Sequence, residues 1–449
     1  MSVAERPAVA VTKAARAPAA AERTLANGLR VVAVRKPSVP LVELRLRVPM
    51  PGVAGERGRV QAARADLLGE TLFSGTGRRS QLQLAEELQG LGGNLGASVD
   101  GDRLLVAGSA LATGLRGLLD VVADVLTGAA YPTSEVEGER DRLVQDLVVA
   151  RSQPAVLAGA ALARRLYGEH PYGRSLPLAE DVEAAGAAQL RRLHAARVVP
   201  TGGLLLLVGD LRPAAALDAA ERALAGWETG SAPRPAPPLP RLETGPVLVV
   251  DRPGAVQSNL RLAGPALPRE DRLWPALQLA NTVFGGYFSS RLVANLREDK
   301  GYTYSPRSGV DHSALGSTLS VSADVATEVT APALLETRYE LGRIATLPVS
   351  EEELEDARRY AIGTLALGTA TQAGLASTLS ALLGQGLDLD WLRQHPGRLE
   401  RVTLDEVVEV SRRFFAPGGL VTVVLGDAGR VSEGLGALDA IETAATDGL

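Results

Sequence analysis

Arg64-Ala65-Asp66-Leu67-Leu68-Gly69-Glu70-Thr71-Leu72-Phe73-Ser74-Gly75-Thr76 sets Asp66 and Glu70 four residues apart, the spacing that brings two side chains to one face of a helix. Just before Glu70 stands Gly69, which has no side-chain group able to bind or transfer a proton. A glycine inside a helix also costs about 1 kcal/mol relative to alanine.

Outward from this segment the chain reads as two copies of one unit. Pro132-Thr-Ser-Glu-Val-Glu is matched by Pro348-Val-Ser-Glu-Glu-Glu, 216 positions later, and the same offset links Gly203-Leu204 to Gly419-Leu420. Both of the latter pairs open apolar strands ending in Gly-Asp, 204–210 and 420–427, and each follows an amphipathic helix, 185–196 and 404–415. An internal duplication accounts for these matches. Alternating strands at 104–111 and 318–325 and helices at 115–126 and 332–344 make each half α+β, with helices layered on a sheet. The Pro-rich run 229–244 cannot continue a helix or enter a central strand, so it divides a half at 24–228 from a half at 245–449. Residues 1–23, rich in alanine, are expected to be a disordered lead-in.

Composition narrows the function classes. The 449 residues exceed one ordinary domain, and the formal net charge of −5 with only three lysines argues against a nucleic-acid partner. With no cysteine, disulfides and thiolate metal sites are excluded. No apolar run reaches the ~18 residues of a membrane span, so the expectation is a cytoplasmic protein with no membrane partner.

The opening segment resembles the zinc-binding helix of the pitrilysin, insulinase and mitochondrial processing peptidase family, which reads His-x-x-Glu-His and then Leu-Phe-x-Gly-Thr. The frame is kept here, while Asp66, Gly69 and Glu70 stand at the three chemical positions. Further segments follow the family in order: Leu88-Gln-Gly-Leu-Gly-Gly-Asn-Leu-Gly-Ala-Ser, Leu166-Tyr-Gly-Glu-His-Pro-Tyr-Gly-Arg-Ser, Phe284-Gly-Gly-Tyr-Phe-Ser-Ser-Arg-Leu and Leu296-Arg-Glu-Asp-Lys-Gly-Tyr-Thr-Tyr. The resemblance implies two homologous halves of antiparallel sheet plus helices, closed like a clam.

It also implies a distal carboxylate ligand, matched by Asp146, so that Asp66, Glu70 and Asp146 occupy the degenerate ligand positions. Solvated or paired carboxylates are the expected state there, with a hard cation such as Mg²⁺ or Ca²⁺ as the alternative. His170, His194, His312 and His395 are scattered, and none stands four residues from another, so none reads as a zinc ligand. Arg297 and Tyr304, seven apart, resemble the family's substrate-binding Arg and Tyr pair, which acts on a scissile carbonyl held at a zinc site. A guanidinium and a phenol hydroxyl suit that role because they donate to the oxyanion that develops there. The bland alternative is a surface ion pair of Arg297 with Glu298 and a strand aromatic at Tyr304. Gly285 and Gly286 are expected to permit a tight turn or close backbone approach and are weaker candidates for substrate contact.

The expectation is a non-catalytic subunit of a heterodimeric zinc metallopeptidase. No cofactor is expected in this chain; zinc would reside in a homologous partner carrying His-x-x-Glu-His. Arg297 and Tyr304 would act in trans on a peptide substrate. A peptidase-derived peptide-binding or scaffold protein is the alternative, and hydrolysis by this chain alone is disfavoured by Gly69.

Overall fold

The computed structural model describes residues 18–446; most of the expected lead-in, residues 1–17, lies outside them. Twelve strands are present among the described residues: β1 (Ala20–Thr24), β2 (Arg30–Arg35), β3 (Leu41–Pro49), β4 (Asn94–Val99), β5 (Arg103–Leu111), β6 (Leu204–Gly209), β7 (Val247–Asp251), β8 (Gln257–Ala266), β9 (Arg307–His312), β10 (Ser317–Ala326), β11 (Val421–Gly426) and β12 (Ile441–Ala445). They form two six-stranded sheets, ordered β1-β2-β6-β3-β5-β4 and β12-β7-β11-β8-β10-β9.

The inner connections repeat. β2 runs parallel to β6 as β7 does to β11, and the β6-β3-β5-β4 run is antiparallel throughout, as is β11-β8-β10-β9. The sixth strand differs: β1 precedes its unit and pairs antiparallel with β2, whereas β12 closes the chain's second unit and pairs parallel with β7. This corrects the expected lead-in boundary, since residues 20–23 already belong to β1. Residues 228–245 carry no regular structure, as their prolines require.

Helices α1 (Gly55–Thr71), α2 (Gln81–Gly90) and α3 (Leu115–Gly128) belong to the first unit, as do α4 (Thr133–Ser152) and α5 (Pro154–Tyr167). Gln153 ends α4, and Pro154 opens α5 at the position where a missing N–H costs nothing. The first core gathers Leu67 and Leu68 of α1, Leu118, Val121 and Val122 of α3, and the inward residues of β3, Val42, Leu44, Leu46 and Val48. In the second unit the Glu351–Gly368 helix opens with a capping box, Ser350 Oγ accepting from Glu353 N while Glu353 reaches back to Ser350 N.

β6 and β11 are buried along their whole length, so both faces of each sheet centre need cover. The halves supply it to each other. The Gln372–Leu383 helix of the second unit packs Leu375, Ala376, Leu379 and Leu383 on Val32, Val34, Leu204, Leu206 and Val208 of the first sheet. Reciprocally, α5 lays Leu157, Ala158 and Ala161 on Leu248, Val250, Val421, Val423 and Leu425 of the second sheet.

The halves also meet at their hairpin tips. Tyr172 Oη donates to Asp102 Oδ1 at 2.5 Å, and Asp102 Oδ2 accepts from Ala314 N at 2.9 Å, tying the β4–β5 turn to the β9–β10 turn. His170 fixes that corner: its Nδ1 accepts from Tyr172 N at 3.1 Å, so its Nε2 carries the proton given to Pro237 O at 2.9 Å.

Candidate functional site

The frame around the degenerate motif has a structural reason to persist. Gly75, at φ +135°, turns the chain out of α1, and a side chain there would press on Arg79 O at 3.3 Å. Thr76 Oγ1 then donates to the buried carboxylate of Asp124 at 2.8 Å, which also accepts from Arg78 Nε and an Arg79 terminal nitrogen, both at 2.7 Å. These donors hold the Asp124 carboxyl below its ordinary value against the opposing effect of burial. Leu-Phe-Ser-Gly-Thr is therefore a scaffold element, independent of any chemistry on α1.

On α1 itself the three family positions no longer make a site. Gly69 is buried, and a Cβ there would approach Val99 Cγ2 of β4 at 3.2 Å, so that Val99 would have to shift by a few tenths of an ångström to admit any side chain. Glu70 is exposed and lies 3.5 Å from Arg142 of α4, which also pairs with Glu139. Asp146 is exposed one turn further along α4. Among the described residues no group of three or more His, Cys, Asp or Glu side chains is placed to hold a metal ion. The residues present thus do not fit zinc, and a guanidinium supplies positive charge beside Glu70.

Asp66 is half-buried and borders a cavity of about 540 Å³ whose other walls include Val99, Ala160, Pro171 and Leu176. Desolvation first, and the Glu70 charge second, push its carboxyl up to about 7. Between its ordinary value near 4 and pH 7 the unfolded chain is ionised there while the folded chain keeps the proton, so rising pH works against the fold across that window. Asp66→Asn cannot ionise and is expected to be more stable than the native chain at pH 8. The gain, on the order of 1–2 kcal/mol once partial exposure is allowed for, should fade toward pH 4. Urea denaturation at both pH values checks it.

The histidines serve structure. His194 accepts from Tyr131 Oη at 2.8 Å and donates to Leu126 O at 2.9 Å. His312 bonds Ser317 Oγ at 2.7 Å and His395 bonds Gln278 Oε1 at 2.7 Å; burial first, then nearby arginines, lowers both to about 4.

The second unit presents a different surface at the matching place. The 216-residue offset carries Asp66 onto Thr282 and Gly69 onto Gly285. There the Trp274–Asn281 helix widens into a π-helical turn, Thr282–Gly286, and a second, Ala294–Asp299, carries Arg297. Such turns are rare and gather at functional sites. Gly285 is required by close approach: a Cβ would meet Ser308 Oγ at 2.7 Å and Ser308 N at 3.1 Å, on β9. At Gly286 a Cβ would meet Asn281 O at 3.0 Å. Gly285 thus packs against Ser308 and Gly286 against Asn281, with no room for a side chain at either without a shift.

Arg297 makes no ion pair with Glu298 or any other carboxylate among the described residues. Its guanidinium carbon instead stands 4.6 Å from the centroid of the Tyr304 ring and 4.8 Å from that of Phe288. Tyr304 is 79% exposed and sits in the loop before β9, not in a strand, and Phe288 is 59% exposed. Sequence reasoning brought Arg297 and Tyr304 together and assigned no role to Phe288, although it lies within the Phe284-Gly-Gly-Tyr-Phe-Ser-Ser-Arg-Leu segment. An unneutralised guanidinium beside a phenol hydroxyl can receive an oxyanion or a carbonyl oxygen.

Two family models match the chain: that of the insulinase peptidases, Peptidase family M16, over residues 61–179, and that of the Peptidase M16 inactive domain over residues 185–360. An uncharacterized zinc protease of Mycobacterium leprae is 30% identical over 319 residues, covering 69% of this chain and 70% of that protein. One of Mycobacterium tuberculosis is 29% identical over 404 residues, covering 88% and 90%. Among solved structures, a peptidase M16 inactive domain from Pseudomonas fluorescens superposes with a TM-score of 0.82 at 23% identity, over 91% of this chain and 98% of that one. A protease from Helicobacter pylori gives 0.83 at 18% identity, over 91% and 99%. Those two likenesses extend the two-sheet fold across both halves.

Proposed function

Because this chain belongs to the M16 peptidase family and lacks the ligands and base of its zinc motif, we propose that it is a non-catalytic subunit that completes a partner's peptidase site. The observation that carries this reading is Arg297, half-buried against two exposed rings with no carboxylate paired to it among the described residues. Packing does not call for such an arrangement, and a scaffold would gain nothing from it.

A homologous subunit with an intact His-x-x-Glu-His motif would supply zinc and with it the activated water. This chain's part is binding and charge stabilisation. Arg297 and the Tyr304 hydroxyl donate to the scissile carbonyl oxygen, more strongly as negative charge builds on it, which lowers the barrier and not merely the binding free energy. β4 and β9 each form one of the two edges of their sheets, and an extended peptide can add to such an edge through main-chain hydrogen bonds with little demand on its sequence.

The test is peptide hydrolysis by this chain alone and by this chain coexpressed with a zinc-motif homologue, with and without chelator. Activity only in the mixture, abolished by chelation, is the expected result. An inert pair that does not associate would leave the peptide-binding or scaffold role.

A further inference from the structure

The loop that follows the first π-helical turn is fastened on both sides of Phe288. On one side the Tyr287 ring packs against Tyr360 with centroids 5.1 Å apart. On the other, buried Arg291 makes a two-pronged ion pair with Glu353, at 2.6 and 2.8 Å, and Glu353 in turn caps the Glu351–Gly368 helix. Phe288 is nonetheless left 59% exposed, where its ring gains little from burial.

The same pattern recurs beneath its two neighbours. Two residues before Arg297, buried Asn295 donates to Glu336 and to buried Glu340, both at 2.9 Å. One residue before Tyr304, Thr303 Oγ1 donates to Asp324 O at 2.7 Å. Three separately anchored backbones thus bring Phe288, Arg297 and Tyr304 to one place at the surface.

Resting on the proposed function, we infer that Phe288 is a positioning residue that, with Tyr304, holds Arg297 for substrate. An aromatic face attracts a guanidinium without neutralising it. A carboxylate would position Arg297 as well but would occupy its N–H donors and cancel the charge an oxyanion needs. Two rings restrict a long, many-rotamer side chain and leave its donors free. The clamp therefore favours an acceptor with concentrated negative charge, the carbonyl oxygen of a peptide under attack.

Two experiments test this. In the complex with a zinc-motif subunit, Phe288→Leu should lower kcat roughly three- to tenfold with little change in KM, and Phe288→Tyr should restore it. In the chain alone, the Arg297 Nε–H resonance should carry a ring-current shift that shrinks in Phe288→Leu and persists in Phe288→Tyr, with melting temperature unchanged. Wild-type kcat in Phe288→Leu, or an unmoved resonance, would overturn the inference while an inactive Arg297→Ala complex left the subunit's role standing. A fully active Arg297→Ala complex would instead overturn the functional reading on which it rests.

Discussion

Arg297→Ala should reduce kcat of the assembled peptidase by about 10²- to 10³-fold, the usual consequence of deleting one preorganised oxyanion donor. The side chain is placed for this size of effect because no carboxylate among the described residues pairs with it, and its guanidinium lies against two rings instead. If it acts only as charge develops, kcat and kcat/KM fall together and KM stays near its native value. Arg297→Lys keeps a cation but loses the planar fork and the broad face that lies against Phe288 and Tyr304, so it should recover activity only in part. Assembly should be untouched in both variants, since the backbone of Ala294–Asp299 is held by Asn295 and by Lys300 N donating to Asn295 O at 3.0 Å. Steady-state kinetics on a quenched fluorescent peptide, with size-exclusion chromatography of the same samples, read both quantities. A fully active Arg297→Ala complex would remove the proposed role.

The features that sequence exposed are those set by local spacing. The duplication appears in matched Pro-x-Ser-Glu and Gly-Leu segments, which the structure turns into corresponding helix starts and strands. Loss of the metal site appears in Gly69 and Glu70, because zinc ligation depends on residue type at fixed helical spacing. The less legible features depend on contacts between distant segments. β1 and β12 take the same edge in the two sheets from opposite ends of their units, a choice that no period encodes. The tight contact of Val99 with Gly69 joins residues thirty apart, and Phe288 becomes notable only when two π-helical turns place it beside Arg297. The Pro-rich stretch runs without regular structure from the Pro213–Ala223 helix to β7. It gave no sign that a helix from each unit is part of the other's core.

That exchange makes Leu379→Ala the substitution expected to cost most stability, about 2–5 kcal/mol as for other fully buried leucines. Leu379 is wholly buried within the Gln372–Leu383 helix, where it belongs to the second unit by sequence and to the first unit's sheet by packing, against Val32, Val34 and the β6 leucines. Removing three carbons there leaves a cavity on a strand buried on both faces, and backbone relaxation is restrained because Gln372 ties the helix start to Lys36 O and Val39 O, at 2.5 and 2.9 Å. The loss should therefore be felt in both halves. Trp227 reports on the first core, and Trp274 on the second, so single-tryptophan versions can follow each half separately through urea denaturation. With the halves coupled through the exchanged helices, Leu379→Ala should move both midpoints together. Leu335→Ala, at a half-exposed position of the Thr330–Thr346 helix, should move neither by more than a small amount. A shift confined to the Trp274 signal would mean that the helix stabilises only the unit it belongs to in sequence, and that the first sheet tolerates an uncovered face; the continuous burial of β6 argues against that outcome.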